Sequence, residues 1–417
     1  MNFKKRKNKY EKIERKVNRK TLSYEDMPLE DYEQPRSKIT WTGIKKLFKA
    51  MMIVAAACAV VLLIISWKNI SFERTVEWIE GEMFGTGIGD GYPCPISGTN
   101  VLYNNFVLMD DKLVVASDTS FSILSTTAKE LANRQHSYST PAVKTSKNKA
   151  ILYSVGGTGY RVENKSATLV KKNTEEKILS ADINNDGTYA LLTEATGYLS
   201  RMVVFTSKNE QRYKYSFADY YANLISLSDN NKKAAVSGFS AVNGGLESAV
   251  YIIDFSEEKP QQTFKFDDEF FVAIDFIRND RIVAVGDKAS YIIDVESGNI
   301  NKYSYNNLTL TNYSIDKDGG LALSLSISGD GNRCNVVSVN LDGEKTMELP
   351  TQKRIISISN KDDKVVYIAE GTAYCYDTSG TLIGAFGAGN DAGKILMLDK
   401  NTAYIMGINE IRQISLS

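Results

Sequence analysis

KLVVAS (Lys112–Ser117) follows an alternating strand and a polar turn, and the chain returns to this pattern seven more times. KAILYS begins at Lys149, TYALLT at Thr188, KAAVSG at Lys233 and RIVAVG at Arg281. GLALSL follows at Gly320, KVVYIA at Lys364 and TAYIMG at Thr402. The intervals are 37, 39, 45, 48, 39, 44 and 38 residues, the period of a four-stranded propeller blade. The preceding turns, such as Asp110-Asp111, Asp186-Gly187, Asn230-Asn231 and Asp362-Asp363, use residues that tolerate a left-handed backbone. Each such unit leaves apolar faces bare until neighbours stack on it, and a closed ring hides them all. The predicted fold is therefore all-β, an eight-bladed β-propeller over residues 99–417. Seven blades is the alternative if the first or last repeat is irregular. The last repeat ends at Ser417 after its third strand. The missing strand is expected from residues 86–98, which would seal the ring with two distant pieces of chain.

Upstream of the repeats, residues 50–67 (AMMIVAAACAVVLLIISW) carry no charge and are closed by Lys49 and Lys68. As a helix this run is about 27 Å long, near the thickness of a bilayer's hydrocarbon core. Residues 1–49 hold 15 Lys/Arg against 7 Asp/Glu, and the remainder holds 35 against 43. The basic flank places the N-terminus in the cytoplasm and the large domain outside. The reading is a single-pass signal anchor in the plasma membrane. Its basic tail (1–49) is largely disordered, its span is 50–67 and a stalk follows over 68–98. The 49 residues before the apolar run are too many for a cleaved signal peptide. The expected partners are the lipid bilayer, anionic lipid at the basic segment 4–20, and an envelope protein or polymer at the propeller. Nucleic acid is not expected.

The composition excludes several chemistries. With one histidine, His136, a His-rich metal site is impossible, and a Ser-His-Asp triad would depend on that residue alone. His136 is expected to be a hydrogen-bonding residue of an inter-blade link. DINNDG (residues 182–187) places Asp182, Asn184 and Asp186 as in the first half of a calcium loop. The twelfth position is Thr193 rather than an acid, so a hairpin turn is the better reading and calcium a weak one. No other cofactor is expected. Cys334 and Cys375 could form a disulfide or remain small buried thiols. All three tryptophans, Trp41, Trp67 and Trp78, precede the repeats, which makes a carbohydrate enzyme less favoured.

Two further segments stand out: Gly89-Asp90-Gly91-Tyr92-Pro93, and Arg134-Gln135-His136 with Tyr138 and Pro141. With the basic tail, the span and the repeats, they resemble a family of single-pass propeller proteins from clostridia and related Firmicutes whose common domain has no assigned function. The resemblance implies location and fold, and no activity. The repeats also look like WD40 and quinoprotein propellers. The G-H…W-D signature and the docking tryptophans of those folds are missing, which argues against a quinone cofactor.

Three functional readings follow. The first is a binding or scaffolding module, favoured by the anchor and by the lack of any catalytic constellation. The second is a hydrolase or lyase using paired carboxylates at the channel. The third is a sensor that signals through the tail to a cytoplasmic partner.

Overall fold

The structure, a computed structural model, describes residues 89–417 apart from Asp330, together with Met52. The tail, the expected span over 50–67 and most of the stalk lie outside the described residues. Among the described residues no helix is long and apolar enough to cross a membrane.

Eight four-stranded antiparallel sheets follow one another along the chain. Blades 1 to 4 cover residues 101–135, 141–173, 178–217 and 221–267. Blades 5 to 7 cover 271–304, 309–351 and 357–387, and blade 8 takes its first three strands from 394–415. Within each blade the first strand is innermost, and first strands of most neighbouring blades contact one another. The eight repeats are the second strands. Each is covered on both faces by adjoining blades, so it reads as a continuous apolar run rather than an alternating one; Lys112–Ser117 is buried at five of six positions. Outermost strands such as Thr168–Asn173 and Ile300–Ser304 are largely exposed and carry the polar residues.

There is no single core. Eight apolar clusters occupy the eight blade-to-blade interfaces. The interface between blades 8 and 1 joins Tyr404, Met406 and Ile411 to Phe106, Leu113 and Val115. Tyrosine and phenylalanine fill these layers where other propellers use tryptophan. Fully buried examples are Tyr189, Tyr305, Phe217 and Phe276.

Blade 8 is completed from the N-terminal side, as the truncated last repeat implies. Cys94–Pro95 pairs antiparallel with Glu410 and Ile411, and Ile96 N–H donates to Asn409 O at 3.0 Å. The preceding Gly89–Pro93 segment fixes this strand. Gly91 N–H bonds Thr127 O at 3.1 Å, and Tyr92 Oη donates to Ser125 O at 3.0 Å. Gly89 lies so close to blade 1 that a Cβ there would stand 2.2 Å from Thr127 O. Only glycine fits that approach. These residues therefore serve ring closure.

The turns carry the expected backbone. Asp110, Asn231 and Asp362 have φ of 59°, 59° and 51°, and Gly187 has φ of 90°. Cys94, Cys334 and Cys375 are free thiols, the last two buried in the different blades 6 and 7.

Candidate functional site: the channel and the loop face

Strand direction gives the ring two faces. Links between blades and the turns joining second to third strands form one, here called the loop face. The tight turns joining first to second strands and third to fourth strands form the other, the turn face. The chain arrives on the turn face, since Gly89 and Gly91 pack on Thr127, in the turn joining the third and fourth strands of blade 1.

Inside the ring, one layer of the innermost strands is charged. Lys144, Asp182 and Asp275 occupy equivalent registers in blades 2, 3 and 5, opposite Ile151, Ala190 and Val283 of their second strands. Blades 4, 6 and 7 place Ser226, Ser314 and Ser359 there, opposite Ala235, Ala322 and Val366. These side chains stitch blades together. Ser226 accepts Phe276 N–H at 3.0 Å, Ser314 accepts Asn360 N–H at 3.2 Å, and Ser359 accepts Met397 N–H at 3.0 Å. Asp182 does the same for Leu227 N–H at 2.7 Å.

Lys144 Nζ meets Asp275 Oδ1 at 3.9 Å. Two whole blades, 3 and 4, stand between these residues in the ring, so the pair crosses the channel. Lys144 is walled by protein on every side, yet 42 % of its side chain is open to solvent within the ring. Facing Asp275 holds its amine above the usual lysine range, with Asp182 adding to the effect. Asp182 is pushed up to about 6, chiefly by burial and further by Asp275; Lys144 and the Leu227 N–H work against that rise. Nearer the turn face Lys317 Nζ bridges to Asp229 at 3.0 Å, linking blades 6 and 4.

Two carboxylates thus face Lys144 in the channel, and burial holds one of them, Asp182, above the usual carboxylate range. Asp182 and Asp275 share Lys144, and Asp182 takes the place of a stitching serine. Its position is accounted for by support between blades.

The raised Asp182 predicts a pH effect. Below the unfolded value near 3.9 the carboxyl is protonated in both states. Between that value and about 6 the unfolded chain loses its proton while the folded one keeps it. Stability therefore falls as pH rises through this window, on the order of 3 kcal/mol for this group. Asp182→Asn keeps an acceptor for Leu227 and removes the charge. Urea midpoints from pH 3.5 to 7 should show a flatter profile for D182N than for the native chain; parallel profiles would remove Asp182 as the titrating group.

The Arg134–Pro141 segment is a clamp between blades 1 and 2. Arg134 Nη1 reaches Glu163 Oε2 at 3.3 Å and Asn164 O at 2.8 Å. Arg161 approaches the other oxygen of Glu163 at 3.5 Å, donates to Gln135 O at 2.5 Å, and lies over the Tyr138 ring. Glu163 is fully buried, and Thr168 Oγ1 donates to it at 2.8 Å. Burial outweighs the two guanidinium groups and holds its carboxyl above the usual range. His136 Nδ1 accepts Tyr138 N–H at 3.2 Å, and burial with the Arg161 charge lowers its pKa. Pro141 O accepts Asn105 Nδ2 of blade 1 at 2.7 Å. Every residue singled out here is engaged in the link.

Asp182, Asn184 and Asp186 do not converge. Asp182 faces the channel and holds Leu227, Asn184 donates to Ser228 O and Asn231 Oδ1, and Asp186 accepts Thr188 N–H at 2.8 Å. Among the described residues no three His, Cys, Asp or Glu are grouped to hold a metal ion.

At the loop-face mouth of the channel lies a cleft of about 510 Å³. Tyr103 of blade 1, Thr311, Asn312 and Ser326 of blade 6, and Arg354 and Ile356 of the link into blade 7 line it. Around it stands a crown of exposed apolar side chains. Leu102 and Tyr103, Val155, Tyr198 and Leu199, Val242, Val272, Ile327 and Ile408 come from seven blades. All sit at the loop-face ends of their strands or in loop-face turns. In blade 4 the hairpin Lys233–Val242 and Gly245–Asp254 is ten residues a side and projects further than its neighbours.

The cleft and the crown were not foreseen from sequence; carboxylates at the channel were raised there as the enzyme alternative, but without the residues that supply them. The signal for the charges was there: setting the eight first strands in one register places Lys144, Asp182 and Asp275 where other repeats carry serine or an apolar residue. Arg161 and Glu163 gave no such signal, because pairing with Arg134 depends on how two blades meet.

No curated protein matches the chain. Among solved structures it is similar to BamB from Moraxella catarrhalis, at 13 % identity and a TM-score of 0.50. That match covers 77 % of this chain and 99 % of BamB. It is also similar to the C-terminal WD40 domain of Sif2, at 15 % identity and a TM-score of 0.56, covering 79 % of this chain and 99 % of that one. At these identities the likeness concerns the fold alone. The profile of a family of unknown function, DUF5711, matches residues 96–416, nearly the whole propeller, and the chain belongs to that family.

Proposed function

We propose that the chain is a membrane-anchored, extracytoplasmic binding and scaffolding module. Residues 50–67 hold it in the plasma membrane with the N-terminus in the cytoplasm, and the basic tail lies on anionic lipid. The propeller presents its loop face to an envelope protein, polymer or peptide. The observation that carries this reading is the apolar crown. Single exposed apolar residues are ordinary, but a ring of them from seven blades on one face is the pattern of an interaction surface. The crown lies on the face opposite the one at which the chain arrives. An anchor upstream of Gly89 would leave it free to meet a partner.

The test is crosslinking in intact cells followed by affinity capture, with a tail-and-span control. A second arm carries Leu102→Asp and Val272→Asp, both exposed and expected to change stability by less than about 1 kcal/mol. The native chain should enrich a partner that the double variant captures about tenfold less well. Equal capture by both would sink the loop-face reading.

A further inference from the structure

We infer that the cleft between blades 1, 6 and 7 binds a carboxylate-bearing peptide segment, with Arg354 taking the carboxylate. This rests on the binding-module reading and names the chemistry of the occupant.

The first ground is charge. Arg354 lines the cleft, is exposed, and has no ion-pair or hydrogen-bond partner for its guanidinium among the described residues. Arg333, exposed in the neighbouring loop of blade 6, is unpaired in the same way. Lys394 opens the innermost strand of blade 8 (Lys394–Asp399) and so stands at the loop-face end of the channel. Among the described residues no carboxylate reaches its amine, and burial holds that amine below the usual range. Other cations on this side are neutralised: Lys353 by Glu370, and Arg412 by Asp391 and Glu410. Three cations with no carboxylate partner among the described residues, on one arc of the ring in a chain whose residues after 49 carry more acid than base, form a local complement to an anion.

The second ground is the state of the lining. Thr311 Oγ1 is shared with Ser324 Oγ at 2.8 Å, Asn312 Nδ2 donates to Ile355 O at 3.2 Å, and Ser326 Oγ donates to Ser328 O at 2.5 Å. These polar groups are already engaged. A sugar polymer, which needs many free partners, would find few. What the cleft offers is one free guanidinium beside an apolar shelf of Tyr103, 55 % exposed, and Ile356, with Ile327 at the rim. That suits an acidic side chain or terminal carboxylate flanked by apolar residues. The volume lies in the range of sites that take a small ligand or a short segment.

The experiment uses the full chain in lipid nanodiscs and fluorescence anisotropy. The probes are a labelled, end-capped Ser-Leu-Glu-Val-Glu-Leu-Ser peptide, its Gln-for-Glu counterpart, and an oligogalacturonate of equal charge. The Glu peptide should bind about 10-fold or more tighter than the Gln peptide, as expected for a charge-assisted hydrogen bond. Arg354→Ala should erase that preference, Arg354→Lys should keep part of it, and Lys214→Ala on a distant outer strand should leave it unchanged. Equal binding of the two peptides, an unaffected Arg354→Ala, or tighter binding of oligogalacturonate would each overturn the inference. In-cell capture separates the two proposals. If the crown variant loses its partner while the peptide result fails, only the cleft assignment falls. If capture is insensitive to the crown as well, the binding-module reading falls with it.

Discussion

Glu163→Ala is expected to destabilise the propeller by about 3–5 kcal/mol, because it leaves two arginines facing each other without the carboxylate between them. Arg161 is almost entirely buried at this point and Arg134 is four-fifths covered. Neither can turn to water without giving up its bonds to Gln135 O, Asn164 O and Lys165 O. The measurement is the urea midpoint of the full chain, with the slope of the transition checked for change. Glu163→Gln retains the shape and a partner for Thr168, and should cost about half as much, since a neutral amide still leaves the guanidinium groups uncompensated. A loss below about 1 kcal/mol for Glu163→Ala would show that the clamp contributes little. The distinction matters because a buried ion pair is poor evidence of net stability, while its disruption is costly. Replacing all three residues together by apolar ones of similar volume should recover much of the loss.

Tyr92→Ala is expected to cost about 2–4 kcal/mol and to act locally on ring closure. The ring of Tyr92 packs 5.0 Å from that of Tyr404, which is fully buried, and its hydroxyl donates to Ser125 O across to blade 1. It therefore holds the short strand Cys94–Pro95 against blade 8 and ties that strand to blade 1. A two-residue strand with so few ladder bonds relies on such side-chain anchoring. Amide exchange should quicken first in residues 394–415 and 101–124, while blades 3 to 5 keep their protection. Tyr92→Phe, which loses only the hydrogen bond, should cost about 1 kcal/mol. Uniform quickening around the ring would mean that closure is not the weak seam.

Much of this architecture was legible in the residues. The eight second strands are buried on both faces, so burial wrote itself into the chain as a continuous apolar run at a fixed period. The left-handed turns announced themselves at Asp110, Asn231 and Asp362, because few other residue types accept that backbone. The truncated last repeat pointed to a strand from the N-terminal side, since a blade cannot leave its edge bare. Arg134, His136 and Tyr138 were marked as a link, but not the partners that give them work, Glu163 and Arg161. DINNDG read first as a hairpin turn and only weakly as half a calcium loop. Only the fold separates its side chains, sending Asp182 to the channel, Asn184 to the next blade and Asp186 back to Thr188.

By itself, then, the sequence determined the class of fold and narrowed the blades to eight or seven, because these depend on local periodicity and on the burial each strand must have; the structure settles eight. Tertiary structure alone decided what faces what. Lys144 meets Asp275 from three blades away, and Arg354 shares a cleft with Tyr103 from the far side of the opening, 251 positions apart along the chain. The physical reason is ring closure. It brings the ends of every innermost strand to one axis, and no local pattern records which residues will stand opposite one another there.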